Sequence, residues 1–567
     1  MGPIDFTRLS ADANGSGQFN TCTQCHELFN GTALASPFHT SSVERITDTH
    51  YDDPNTPTRD ASGAAVAGPS IEGYNVSKLS GTGCSSCHNP HSADITINQQ
   101  WINSGHGNLT ADPWVHYNWK LTSRQACQQC HTTTGFKNFA NSQATYDANG
   151  DTNPDTPNDF SHLSGEQLEV IYCDGCHVNY SGGMRNPGPI TANYNVFISG
   201  VKYADVSYPY PDVSKSNVCM GCHTGRESGE SIKQLNVQGG MPSANFGNLS
   251  FINSHYLTAG GTLFTATGYE YTGKNYGNPT SYKHDKIGSA AAPGTGISGP
   301  CAGCHMSATE SHLFLPVTRD VNGVITAITS PACSICHPSD PSGEALSLSA
   351  SVLENQKTLL HDSLEALLRQ LDARGYYFRN AHPYFYQVRY ITGTVSATNN
   401  NATVTGTGTT WTTAGIVTTG SSRDQFKVNL DGTYYAVSAV VSDTELTLAT
   451  TYTGSTVANV TYSIIKSGSA NGIRNWLTSG DTQADGSVTG KNNMGAAFNY
   501  NLLEHDPGAF AHNRYYTRRL IYDAIDWLDD NSLNDSVQTT LNALNATDHP
   551  YKANAIAYIL NSLGGRP

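Results

Sequence analysis

The residues with chemistry to offer are the cysteines, and all 14 of them sit in the same five-residue pattern, Cys-x-x-Cys-His. In chain order the seven copies are Cys22-Thr-Gln-Cys25-His26, Cys84-Ser-Ser-Cys87-His88, Cys127-Gln-Gln-Cys130-His131, Cys173-Asp-Gly-Cys176-His177, Cys219-Met-Gly-Cys222-His223, Cys301-Ala-Gly-Cys304-His305 and Cys333-Ser-Ile-Cys336-His337. Two thiols at this spacing can each form a thioether with one of the two vinyl groups on an edge of a haem. The adjacent imidazole then reaches the iron from beneath the plane, which is the c-type attachment signature. A disulfide scaffold, a zinc site or a dithiol redox pair also uses closely spaced cysteines. None of these requires histidine directly after every second cysteine, and here no cysteine is left over. The pattern therefore implies seven covalently bound haem c groups, each iron held on its proximal side by His26, His88, His131, His177, His223, His305 or His337.

The second axial ligand decides what such irons can do. Methionine is scarce, and Met220 and Met306 lie within or against the motifs, so histidine is the expected partner. Of 21 histidines, the seven proximal ones leave 14 for seven distal positions. Replacing methionine by histidine lowers the potential, so bis-His irons predict a low-potential carrier closed to substrate. Eight candidates stand out. His91 follows a motif in Cys87-His88-Asn-Pro-His91, and His106 has small neighbours in Ser104-Gly-His106-Gly107. His116 is flanked by Trp114, Tyr117 and Trp119, and His162 precedes a helical-looking run over 165–172. His50, His255, His284 and His312 complete the set, with His39 in reserve. His361, His382, His505, His512 and His549 follow the last motif and are set aside, His512 ranking first among them.

The elements that must position these groups change in character along the chain. Residues 1–345 have Gly, Asn, Pro and short aromatic clusters between motifs. They read as loops and short helices wrapped around a haem chain. Over 346–390, Leu353, Leu360, Leu364, Leu367 and Leu371 recur at helical spacing with Gly375 as a stop, which predicts a helical connector. Residues 391–466 alternate polar and β-branched side chains, with Asp431-Gly432 as a turn signal and no Cys or His. They predict a haem-free, small all-β insert resembling a sandwich. Residues 467–567 return to helix packing on the haem region. Tyr515, Leu520, Ile521, Ile525 and Leu528 share one side over 514–528, and a second helix is predicted over 550–563.

Composition narrows the classes. Hydrophobic residues are 37% of the chain, so large apolar macrocycles in place of side chains would supply missing core. A formal charge of -15 offers nothing to neutralise a run of phosphates, which excludes a nucleic-acid partner. No stretch of about 18 apolar residues is present to span a membrane. The start, Met1-Gly-Pro-Ile-Asp5, has neither the basic nor the apolar region of an export signal. Because covalent haem attachment follows export, a processed terminus and a precursor with a signal are expected. The 147–155 segment alternates oxygen-bearing side chains (Asp147, Asn149, Asp151, Asn153, Asp155) in the manner of a calcium loop, but its glycine is misplaced for an EF-hand. A polar surface loop is the simpler reading.

The motifs, the His88-Asn-Pro-His91 element and the stretch Asn501-Leu-Leu-Glu-His505-Asp-Pro-Gly-Ala-Phe510-Ala-His512-Asn-Arg514 resemble the outer-surface multihaem c-type cytochromes of metal-reducing bacteria. That group includes filament-forming, nanowire members. The resemblance implies an extracellular or outer-cell-surface location, with the periplasm as second choice. It implies redox proteins or extracellular electron acceptors as partners, and self-association into a filament in which a histidine placed like His91 reaches a haem of the neighbouring subunit. The haem number and the β insert depart from the filament formers. Three functions compete. An electron conduit needs every iron closed. A multihaem reductase of the nitrite, hydroxylamine or sulfur-oxyanion class needs one open iron, often marked by an altered motif, and all seven motifs here end in His. A binding role for the β insert would be accessory to either.

Overall fold

The computed structural model describes residues 96–108, 111, 113, 117, 119, 127–142, 170–178, 183–235, 241–307, 311–337, 348–428, 433–478, 488–547 and 549–567. They divide between two compact units. One draws on Met1–Asn193, Pro209–Cys222 and Lys283–Val352, the other on Tyr194–Tyr208, His223–Tyr282 and Leu353–Pro567.

In the first unit the haem-attachment motifs make their own short helices: Gln128–His131, Cys173–Cys176, Asn217–Met220, Gly299–His305 and Pro331–Cys336. One helical turn puts residues three apart on the same face, so the two thiols of a motif emerge side by side. Proline within the first two positions starts the last two of these helices, where its missing N–H costs nothing. Gly299 opens its helix at φ 78°, and a Cβ there would come within 2.0 Å of the Val213 carbonyl oxygen. A two-stranded hairpin, Val317–Arg319 with Ile325–Ile328, lies between the sixth and seventh motifs. The helical-looking run before the fourth motif is not helical over 170–172.

The second unit holds the β-rich segment as an eight-stranded sheet. Its strands are Val388–Tyr390 (β1), Thr394–Ala397 (β2), Thr403–Thr407 (β3), Gln425–Val428 (β4), Tyr435–Ser442 (β5), Glu445–Leu448 (β6), Val457–Val460 (β7) and Tyr462–Ile465 (β8). The order is β7-β2-β3-β6-β5-β4-β8-β1, and each neighbouring pair runs antiparallel. Alternation sends Val395, Ala397, Val404, Leu446 and Leu448 inward around Trp411 and Phe426. Trp411 is 1% exposed, and its indole N–H donates to the Tyr462 hydroxyl at 2.8 Å. Trp411→Ala is expected to cost the sheet about 3–5 kcal/mol, by lost burial plus the cavity left behind. Hydrogen exchange should then accelerate across 388–465 while the haem absorbance stays unchanged.

The leucine-rich segment forms the helix Ala350–Ala373, burying Leu359, Leu360, Leu364, Leu367, Leu368 and Leu371. Gly375 ends it at φ 81°, with the Tyr376 N–H donating to the Leu371 carbonyl and the Gly375 N–H to the Asp372 carbonyl, the paired bonds of a Schellman stop. Arg514–Asp530 buries Leu520, Ile521, Ile525 and Leu528. Of the expected stripe only Tyr515 is half-buried; Tyr516 is buried in the core, its hydroxyl accepting the Gly268 N–H at 2.9 Å. The last helix is Lys552–Ile559. Beside Arg514–Asp530 packs Val488–Glu504, a helix buried nearly all round. Helix and loop thus dominate, with one sizeable antiparallel sheet. Among the described residues no helix is long and apolar enough to cross a membrane.

Candidate haem sites

The thiols of the described motifs converge within the first unit. The side chains of Cys219 and Cys301 hydrogen-bond across the fifth and sixth motifs, and those of Cys222 and Cys130 across the fifth and third. Cys176 of the fourth motif lies within electrostatic range of Cys219 and Cys222, and Cys304 of the sixth within range of Cys333 of the seventh. The third and fifth motifs dock backbone to side chain. The Gln129 amide donates to the Gly221 carbonyl at 2.7 Å, and a Cβ at Gly221 would press to 2.8 Å from the Phe136 ring. These cross-motif hydrogen bonds, then burial, raise the Cys219 and Cys222 thiols, while burial pushes Cys176 up to about 11 and Cys304 to about 12. The sulfurs are gathered in neighbouring pairs.

Two of the imidazoles that close the motifs are oriented by main-chain carbonyls. His223 places Nδ1 at 3.0 Å from the Leu257 oxygen, and His305 places Nδ1 at 2.8 Å from the Phe314 oxygen. An Nδ1–H donated to a carbonyl fixes the tautomer in which Nε2 carries the lone pair, the usual outer-shell arrangement of a metal-ligating histidine. His131 stacks on Trp119 with ring centroids 4.4 Å apart.

Two of the distal candidates face proximal histidines. His312 lies opposite His177 with ring centroids 6.1 Å apart, and His284 opposite His337 at 6.2 Å. Two imidazoles bound to opposite faces of one iron, each through a bond of roughly 2 Å, have centroids roughly 6 Å apart. Burial, then the facing His177, lowers the pKa of His312. His106 meets Phe314 edge-on at 4.7 Å. His255 adopts a left-handed backbone at φ 70°, rare outside glycine, and burial followed by Arg226 and His505 pushes its imidazole down to about 4. Closely spaced sulfur pairs, an imidazole closing each motif and, at the fourth and seventh motifs, a second imidazole facing it form a donor set that fits haem c. Among the described residues no three His, Cys, Asp or Glu side chains converge to cage a bare ion, and a haem iron needs no such cage because the macrocycle supplies four nitrogens.

Cys22, Cys25, His26, Cys84, Cys87 and His88, the candidates His50, His91, His116 and His162, the reserve His39 and the 147–155 loop lie outside the described residues. Two histidines set aside on sequence grounds have well-defined settings. His505 uses both ring nitrogens, Nδ1 with the Asn501 carbonyl and Nε2 with the Asn380 side-chain oxygen, each at 2.8 Å. His512 instead turns Nδ1 to the carboxylate of Asp506, at 2.8 and 3.1 Å from its two oxygens. Burial pushes Asp506 up, but His512 and hydrogen bonds from His512, Thr262 and the Gly508 N–H outweigh it and hold the carboxyl below its usual value. A carboxylate six residues before a histidine was the signal available in the sequence.

Residues 95–185, which contain the third and fourth motifs, match the family C-type polyheme cytochrome domain 2. The C-type polyheme cytochrome OmcB of Geobacter sulfurreducens (strain DL-1 / KN400) is 37% identical over 590 residues, covering 93% of this chain and 67% of the relative. The chain belongs to the C-type polyheme cytochromes. The C-type polyheme cytochrome OmcC of Geobacter sulfurreducens (strain ATCC 51573 / DSM 12127 / PCA) is 36% identical over 606 residues, covering 93% of this chain and 66% of the relative. This polyheme cytochrome thus spans about two thirds of the length of those relatives. No solved structure gives a significant match. Membership carries covalent haem c, electron transfer and redox partners with it.

Proposed function

We propose that this polyheme cytochrome is an electron carrier, not an enzyme, that passes electrons along seven bis-His haems c at the outer cell surface. Bound haem supplies the one-electron chemistry at iron. The chain supplies tethers, axial nitrogens and the exclusion of substrate from the metal. The reading rests chiefly on the facing pairs His177–His312 and His284–His337, whose 6.1 and 6.2 Å spacings suit imidazoles closing both sides of one iron. Cross-motif thiol proximity from the third through the seventh motif supports haems close enough for rapid tunnelling. The remaining distal ligands are drawn chiefly from His50, His91, His106, His116, His162 and His255. Residues 1–345 form the haem-bearing region, 346–390 a helical connector, 391–466 a haem-free insert that docks the protein, and 467–567 a helical region packed on the haem region. Assembly into a filament, with His91 crossing to a neighbouring subunit, follows from the family resemblance, and cryo-electron microscopy of cell-sheared material tests it directly.

The spin state of the ferric protein tests the carrier reading. All irons should be low-spin in electron paramagnetic resonance. His312→Ala and His284→Ala should each convert one iron to high spin without loss of covalent haem by mass. A high-spin iron in the unaltered protein, accompanied by turnover of nitrite or hydroxylamine, would overturn the assignment in favour of a reductase.

A further inference from the structure

We propose that Phe314 is a positioning residue shared by two haem sites: its carbonyl orients His305 of the sixth motif, and its ring steadies His312, the partner of His177 at the fourth. The inference rests on the bis-His reading of those motifs. All the residues involved belong to the first unit. His312 lies in the turn Ser311–Leu313 and faces His177 with ring centroids 6.1 Å apart. Phe314 follows that turn directly, and its carbonyl accepts the Nδ1–H of His305 at 2.8 Å. Two peptide units and one hydrogen bond thus tie together imidazoles that serve different motifs.

The backbone of Phe314 stands at φ 58°, in the left-handed region that bulky residues rarely enter. Glycine would adopt it without strain, so the position carries an aromatic ring for its contacts. That ring meets His106 at 4.7 Å and 88° and His312 at 5.9 Å and 63°, and it packs against the buried cluster of Trp101, Trp119 and Val170. Strain of this kind persists only where the surroundings hold it from several sides. The Phe314 N–H donates to the Ser311 carbonyl at 3.3 Å. Two residues on, the Pro316 carbonyl accepts the N–H groups of Thr329 and Ser330 at 2.9 and 3.1 Å, at the base of the hairpin Val317–Arg319 with Ile325–Ile328. His312 is fixed in its turn. Its main-chain N–H donates to Gln100 Oε1 at 3.1 Å, and its Nδ1 lies 3.0 Å from the Ser311 hydroxyl oxygen. An Nδ1–H donated there leaves the lone pair on Nε2, the tautomer that the Phe314 carbonyl imposes on His305.

The test uses the full haem-loaded chain. Mass spectrometry of the Cys173–Cys176 and Cys301–Cys304 peptides, with a high-spin iron in His312→Ala, first establishes the two sites. Absence of either would sink the bis-His reading and the proposal with it. With both in place, Phe314→Gly keeps the carbonyl and removes the ring, and should shift the electron paramagnetic g-values of the same iron that His312→Ala turns high-spin. Phe314→Val carries a β-branched side chain that rejects a left-handed backbone, and should turn the carbonyl away from His305. Losing that hydrogen bond makes the imidazole a weaker donor. The haem missing from the Cys301→Ala, Cys304→Ala chain should therefore titrate at a higher midpoint potential in Phe314→Val than in Phe314→Gly. Should Phe314→Val not fold, Phe314→Ala makes the same comparison, because any Cβ disfavours this backbone. Unchanged g-values in Phe314→Gly, or equal potentials for that haem in the two variants, would refute the role of Phe314 alone.

Discussion

Cys301→Ala combined with Cys304→Ala is expected to remove one haem and to stop electron flow through the middle of the protein. Within the first unit the sixth motif is the link between its neighbours: Cys301 meets Cys219 of the fifth, and Cys304 lies near Cys333 of the seventh. Tunnelling decays steeply with distance, so losing one macrocycle from a row opens a gap that the remaining haems do not bridge at a useful rate. His305, still oriented by the Phe314 carbonyl, would bind free haem only weakly without the thioethers. Intact-mass analysis should show one haem fewer. Pulsed reduction should show the two sides of the break equilibrating orders of magnitude more slowly than in the unaltered protein. Unchanged equilibration with one haem missing would mean that the main route bypasses the sixth motif.

The attachment chemistry was legible in the sequence because thioether formation constrains spacing along the chain, and a five-residue pattern is local by nature. The distal ligands were less so, since an axial partner is fixed by where the chain returns in space. His312 stands 135 residues after His177, and nothing local to either announces the pair. Among the packing elements, Ala350–Ala373 was visible through its leucine stripe and the Gly375 stop, because one of its faces is wet. Val488–Glu504 falls within the 467–567 region read as helical, but no stripe marked its bounds, for the opposite reason. It is buried on nearly every side, so its apolar residues have no helical period to betray them. Its asparagines face inward: Asn499 hydrogen-bonds both the N–H and the carbonyl of Tyr269, and Asn493 joins the Trp476 carbonyl to the Trp527 indole. Polar side chains there satisfy buried main chain, a role that composition alone assigns to surfaces. The burial of Tyr516 beside the half-buried Tyr515 has the same origin, a hydroxyl that meets a buried main-chain N–H.

Asp523→Ala is expected to destabilise the second unit by about 3–5 kcal/mol, the cost of leaving a buried charge without its partner. Asp523 is fully buried and receives two parallel N–H bonds from Arg566, each at 2.7 Å, together with a short hydrogen bond from the Tyr276 hydroxyl. The Arg566 guanidinium also sits 4.9 Å over the Tyr276 ring, so one carboxylate ties three stretches of chain together: the Arg514–Asp530 helix, the C-terminal residues and the loop around Tyr276. Replacing the pair by apolar side chains, as in Asp523→Leu with Arg566→Met, should recover most of the loss, because the penalty lies in the unpaired charge rather than in the missing attraction. Guanidinium denaturation followed by far-ultraviolet circular dichroism separates these cases, and a loss below about 1 kcal/mol in Asp523→Ala would show the network to be dispensable.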